Sequence, residues 1–406
     1  MMGGMKKIGL SILYLLCLFL YIISKNAVYL AFTREAIYYP VVLEPYINTA
    51  ILLLICIMLC LTAGKFIGRE VTKKIKAKSL FTIFIAIILT AAQLYFLIEK
   101  AWYLDTEPFY LVVSLYLIAF SWKQDFKGIV AAYTAAHAFV LMTAVLGLFL
   151  GYTEDAVKFT DYGAKHAFGL VHPNTAGRVI FAIVAGTWFL FLRKKRGWTF
   201  VLFWLTAAVL LIWNRCRTVI IMMILLPVSL LLVDGQKRHG KRVLKSLLCA
   251  APFLCFGITL LSCIPIHLVH RLTYHTPLFS IGERIVQSGI ALRTYGLPLI
   301  GHSIDTSGAI RMMVDGEKIS LFVMDNAYVS YGIILGLLWL IPALLFLCAA
   351  NRKAWNGRNV DLVVYGLFLV VFAFMERRGL DPAYNLMFFY PLSINLGRVR
   401  HDARAA

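Results

Sequence analysis

The chain has 406 residues, 61% of them hydrophobic and 15% charged, with a formal net charge of +20. That apolar fraction excludes an ordinary soluble domain, because apolar stretches near 18 residues with few charges read as membrane-spanning helices. In a soluble protein the charge would point to nucleic acid, but here the basic residues sit in the loops between spans and mark orientation, so no polyanionic partner is implied.

In chain order the apolar runs predict about twelve spans. Eleven centre on Ile8–Ile23, Ile47–Ala63, Leu80–Ile98, Phe109–Trp122, Ile129–Leu150, Val179–Leu192, Phe200–Trp213, Val219–Val233, Val243–Ile264, Ala327–Ala349 and Val360–Phe374. The twelfth, Tyr384–Leu396, is short and broken by Pro391. The first span follows Lys6-Lys7, and no small-residue cleavage site comes after it, so it reads as a retained anchor. The expected class is an all-α polytopic integral membrane protein, residues 1–406 forming one membrane domain. Its eight cysteines show no pairing or metal spacing and read as free thiols.

With the N-terminus cytoplasmic, the inner loops collect Lys65 to Lys78, Lys123 and Lys127, Arg193-Lys194-Lys195-Arg196, Lys237 to Lys245 and Arg352 to Arg358. This is the positive-inside bias, and it predicts both termini in the cytoplasm. The outer segments are then Lys25–Tyr46, Glu99–Pro108, Gly151–Arg178, Asn214–Thr218, His267–Asp325 and Glu376–Ala383. Two of them are polar beyond what a connection needs. Gly151–Arg178 holds Lys158, Lys165, His166, His172 and Arg178; the long loop His267–Asp325 holds His267, His270, Arg271, His275, Arg284, Arg293, His302, Asp305, Arg311 and Asp325. Histidine is a frequent general base, so its concentration on one face points to a site there, although polar residues also collect in loops for no other reason.

Four groups of residues are candidates for that site. Arg215 and Arg217 occupy a tight turn between two spans, where arginine is costly unless it is paired or snorkels to the interface. Arg284 and Arg293 lie on a stretch with helical apolar spacing at Ile285, Ile290 and Leu292, which would aim them inward from the membrane surface. Guanidinium groups hold phosphate oxygens in bidentate fashion, and several together can hold a diphosphate without metal; the alternative is a solvated helix face. His172-Pro173-Asn174 and Asp325-Asn326-Ala327-Tyr328 both stand where an outer loop enters a span, a position suited to a general base and equally to helix capping. Asp105 and Glu107 are two neighbouring carboxylates that could ligate a divalent ion, a weak signal beside the absence of any other metal motif.

Together these residues resemble the O-antigen polymerase and ligase superfamily, above all the Wzy-type capsular and exopolysaccharide polymerases of Gram-positive bacteria. The resemblance covers roughly residues 130–345. It rests on His172-Pro173-Asn174, on the Cys216-Arg217-Thr218 turn, on Arg284 followed by Gly296-Leu297-Pro298-Leu299-Ile300-Gly301-His302, and on Asp325-Asn326-Ala327-Tyr328 before Gly332-Ile333-Ile334-Leu335-Gly336. Two departures stand out. Asp325 occupies the place where the ligases carry a histidine, which favours polymerase, and the second glycine of the Gly-x-Gly element is replaced, giving Gly301-His302-Ser303, which leaves open whether His302 supplies the missing imidazole.

The resemblance implies a membrane-embedded glycosyltransferase of GT-C-like architecture that works without metal or cofactor and with inversion. Its substrates would be undecaprenyl-diphosphate-linked oligosaccharides on the outer face of the cytoplasmic membrane. Arg217 and Arg284, supported by Arg215 and Arg293, would hold the diphosphate. Asp325, or else His172 or His302, would accept the proton, and Asn174, Asn326 and Tyr328 would support the substrate. A chain-length regulator and a flippase of the same pathway are the implied protein partners. The competing expectations are an O-antigen-ligase-like transferase, a lipid-linked oligosaccharide flippase or transporter, and a non-catalytic scaffold. A transporter would show buried charges and interrupted helices.

Overall fold

A computed structural model of the chain describes residues 2–27, 29–33, 38–70, 107–122, 124–160, 163–234, 241–273, 279–302, 304, 310–320, 324–357 and 359–394. The expected span Leu80–Ile98, together with Asp105, His275 and Asp305, lies outside the described residues. The described framework is helical. Among the described residues seven helices are long and apolar enough to cross a membrane, and shorter apolar helices run Tyr110–Phe120, Arg217–Leu230 and Asp361–Met375. All eight cysteines are free.

The chain forms two compact units, one from Met1–Leu190 with Leu392–Leu396 and the other from Phe191–Pro391. In unit 1, α1 (Met2–Ala27) packs against α2 (Tyr38–Glu70), α3 (Glu107–Phe120) and α4 (Phe126–Leu150), and α4 packs on α5 (Pro173–Thr187). The ends of α4 follow from local chemistry. Asp125 accepts the otherwise orphan N–H groups of Lys127 and Gly128, and Gly151 closes the helix in the left-handed conformation at φ 75°. Between α4 and α5 lies a small hairpin of β1 (Lys158–Thr160) and β2 (Gly163–Lys165). Asp155 fastens this loop, its carboxylate 2.6 Å from His166 Nδ1 and accepting the N–H groups of Ala167 and Phe168. His137 is a core residue of α4, fully buried with Nδ1 2.9 Å from Tyr133 O.

Unit 2 continues with α6 (Arg196–Val209), α7 (Arg217–Asp234), α8 (Lys241–Cys263), α9 (Ile266–Thr273), α10 (Phe279–Tyr295), β3 (Arg311–Val314), β4 (Glu317–Ser320), α11 (Ala327–Ile334), α12 (Leu337–Asn356) and α13 (Val360–Met375). Lys245 Nζ lies 3.0 Å from Asn356 Oδ1, and Asn351 bonds Leu248 O, so the start of α8 meets the end of α12. Short connections then make α7, α8, α12 and α13 alternate in direction. One end of the unit carries Arg193, Arg196, Lys245 and Lys353. The opposite end carries the starts of α7 and α11 and the end of α13.

The stretch expected as a long loop has its own core. Cys263, Ile266, Val286, Ile290, Ala291, Val314, Met324, Val329 and Ile333 pack together, which joins α9, α10 and the β3–β4 hairpin to α11. The hairpin is an addition to the all-α expectation. Its two-residue turn is Asp315-Gly316, both at positive φ (49° and 85°), the backbone twist that a tight hairpin requires.

The twelfth expected span is not a helix. After α13 the chain turns back in two short 3₁₀ turns, Arg377–Leu380 and Leu386–Phe389, and residues 379–390 are all buried. This strap retraces α13: Gly379 sits against Ala373, Met387 against Gly366, and Asn359 bonds the Tyr390 hydroxyl at 3.2 Å. Pro382 and Pro391 prevent a regular helix. Side chains satisfy the backbone instead, with Asp381 accepting from Ala383 N–H, Asn385 accepting from Met387 N–H, and the Asn385 amide donating to Gly379 O. Irregular backbone at membrane depth is tolerated where protein buries it in this way.

Candidate functional site

The apolar face of α10 that enters the small core fixes how Arg284 points. Its guanidinium lies at the end of unit 2 where α11 begins and α13 stops. There Nε is 3.0 Å from Asp325 Oδ2, Nη1 is 3.6 Å from Glu376 Oε1, and Nη1 also donates to the carbonyl of Met375. That carbonyl belongs to the last turn of α13, where oxygen atoms lack helical partners and the helix dipole favours a cation. The two carboxylates differ in exposure. Asp325 and Arg284 are 27% and 21% exposed, whereas Glu376 is 2% exposed. Two residues singled out for different roles in the sequence are thus direct partners, and a third, Glu376, is the buried floor beneath them.

The remaining expected site residues divide into those near this centre and those elsewhere. Asn326 is buried and caps α11, accepting the Val329 N–H at 3.2 Å, and Tyr328 is fully buried with its hydroxyl donating to Val370 O at 2.7 Å. Both side chains thus help to hold α11 in place. Arg293 does not point inward. It is exposed and donates from Nη2 to Ile264 O at 2.9 Å, capping the exit of α8. Arg217, the exposed first residue of α7, falls at the same end of the unit as Met375, because α7 packs along α13 and runs opposite to it. Arg215 is held at φ 53° in the tight turn that precedes α7, closing a bond from its N–H to Leu210 O.

His302 is brought to the far end of the small core. Its N–H donates to Ile333 O and its ring meets Tyr295 edge-on at 5.1 Å. Arg284 and Tyr295 lie eleven residues apart on α10, so the imidazole stands roughly 16 Å along the helix axis from the Arg284–Asp325 pair. The glycines around His302 have a packing reason. A Cβ at Gly301 would collide with Ile334 O, and Gly336 sits at φ 80°, so the two motif segments cross backbone to backbone. His172 and Asn174 belong to unit 1. There the His172 Nδ1 accepts the Asn174 N–H at 3.1 Å with Pro173 in the first turn, so His172, and not Asn174, is the cap of α5.

The sequence reading passed over Glu376, Arg378 and Asp381. Arg378, two residues after Glu376 in the chain, lies 3.6 Å from the fully buried Asp381. The available signal was a charged run, Glu376-Arg377-Arg378, abutting a long apolar helix. A second polar cluster sits on the small core. Asp315 meets His267 Nδ1 at 3.3 Å, His270 Nδ1 at 3.2 Å and Arg271 at 3.6 Å. Desolvation pushes this carboxyl up, but the hydrogen bonds from His270 and His267 and the Arg271 charge outweigh it and hold Asp315 below its ordinary value.

Among the described residues no group of three or more His, Cys, Asp or Glu side chains is placed to hold a metal ion. Comparison with known protein families, with curated proteins and with solved structures finds no match.

Proposed function

We propose that the chain is a membrane polysaccharide polymerase that joins lipid-diphosphate-linked oligosaccharide units at the end of unit 2 carrying Arg284. The observation that carries this reading is the Arg284–Asp325 pair, part-exposed and standing over the buried Glu376. An acceptor hydroxyl attacks the anomeric carbon of the donor glycan while Asp325 takes its proton. The bond from that carbon to the phosphate oxygen breaks, and the lipid diphosphate leaves with the electron pair. Arg284, with Arg217 at the same end, stabilises the charge that develops on the leaving group. The basic end of the unit then faces the cytoplasm and the site end faces outside.

A second reading has one observation in its favour. The strap that retraces α13 is irregular and carries buried charge, as a transporter interior does. Its Asp381 and Asn385, however, hold the turns of the strap itself. The two readings separate when the purified protein in liposomes is given a defined undecaprenyl-diphosphate oligosaccharide. Longer lipid-linked glycans are expected. Translocation without elongation would replace the polymerase reading with the transporter.

A further inference from the structure

Arg284 faces two carboxylates that are not equivalent. Glu376 is 2% exposed and sits beside the Met375 carbonyl that Arg284 also grips, so this side of the guanidinium is fixed from below. Asp325 is 27% exposed, precedes the cap of α11, and lies 3.0 Å from Arg284 Nε. Nη2 makes no hydrogen bond to a described residue. A ligand phosphate approaching from solvent therefore meets the Nε–Nη2 edge, the bidentate edge of a guanidinium, with Asp325 already on half of it.

Resting on the polymerase reading, we propose that diphosphate binding exchanges the partner of Arg284. The ligand's phosphate displaces Asp325 from Nε, and Glu376 with Met375 O holds the guanidinium in place throughout. Glu376 is thus a positioning residue, and Asp325 is a resident anion that competes with the ligand and is released when the ligand arrives. The device ties the two halves of the reaction together, because the carboxylate becomes free to take a proton only when a diphosphate is seated. It also keeps a lone cation from being exposed at the membrane surface between turnovers.

Competition makes a prediction that a purely structural ion pair does not. Removing the resident anion should tighten diphosphate binding although it removes a polar side chain from the site. The experiment measures binding of sugar-free undecaprenyl diphosphate, and separately of inorganic pyrophosphate, to the full-length protein in detergent. Wild type, Asp325→Asn, Asp325→Ala and Glu376→Gln are compared after each is shown to be monodisperse. Both Asp325 variants are expected to bind about fivefold tighter, the size of a partly exposed ion pair, and Glu376→Gln to bind several-fold weaker. The same pattern with pyrophosphate would assign recognition to the phosphates alone; the pattern with the lipid only would add its chain to the recognition element. Wild type that binds while both Asp325 variants bind equally or more weakly would overturn the exchange and leave the polymerase reading standing. Wild type that binds neither probe would remove the diphosphate site and the exchange with it.

Discussion

Unit 2 has an arginine–carboxylate cluster at each end, and the two are built in opposite proportion. At the basic end two arginines close on one carboxylate, with Arg193 Nε 2.8 Å and Arg196 Nη2 3.0 Å from the two oxygens of Asp361, which is 13% exposed. Asn359 takes another Arg193 donor at 2.8 Å and bonds Tyr390, while Lys353 donates to Tyr390 O and Pro391 O. Asp361, Arg193, Asn359 and Lys353 each bond a group on another segment, so the cluster is a clamp. At the site end one arginine is divided between two carboxylates, the more exposed of which lies against Nε. The same residue types make a fastening where donors saturate the acid and an exchangeable site where they do not.

The comparison breaks most sharply on orientation. If the ends face opposite sides of a membrane, Met313→Cys on β3 should react with an impermeant thiol reagent in intact cells, and Lys195→Cys should not, in a background without native cysteines. Equal labelling of both would undo the assignment of faces. The next effect concerns Arg284. Arg284→Lys keeps the charge but loses the planar fork, so elongation should fall about 10²–10³-fold, or roughly 3–4 kcal/mol, at normal membrane abundance. Near-normal elongation in this variant would make the site end a second clamp.

Asp361→Asn tests the other half of the comparison. Loss of this part-buried acid leaves two guanidinium groups without their carboxylate and should cost about 1–3 kcal/mol of stability, between the exposed and buried limits. It should lower the melting temperature while leaving elongation per folded molecule within about twofold. A large loss of turnover in folded protein would move function to the basic end.

The smallest effect belongs to the β3–β4 hairpin. The carboxyl of Asp315 is held below its ordinary 3.8, so its contribution to docking on α9 is complete above that value and is lost as pH falls through the lower, folded one. Amide exchange in residues 310–320, corrected for intrinsic rate, should stay protected from neutral pH down to about pH 4 and increase below it. Asp315→Asn should weaken protection at neutral pH and remove the acid step.

How much of this was legible follows from distance along the chain. The long apolar helices could be read because each depends on about 18 consecutive residues. So could the caps, since His172 and Asn326 act on N–H groups two or three positions away. The Asp315-Gly316 turn was equally local, a strong hairpin signal that the reading of the loop did not use. The partnership of Arg284 with the end of α13 was not legible, because 91 residues separate it from Met375 and no periodicity links them. The strap failed as a twelfth span for a related reason. Its apolar content suits burial, but Pro382, Asn385 and Pro391 favour turns, and only packing against α13 makes such a segment stable. The directions of Arg293 and His302 were not legible either, since they depend on where α8 ends and where α11 passes.

The most direct test of the account is the turnover of Asp325→Asn with a defined lipid-diphosphate oligosaccharide, in matched amounts of folded protein and with a chelator present. The substitution keeps the shape of the side chain and its reach to Arg284 while removing the proton acceptor. Wild type should elongate the glycan in the presence of chelator, and the variant should be slower by about 10²–10⁴-fold. Full elongation by Asp325→Asn, or wild-type activity that requires added magnesium or manganese, would contradict the mechanism.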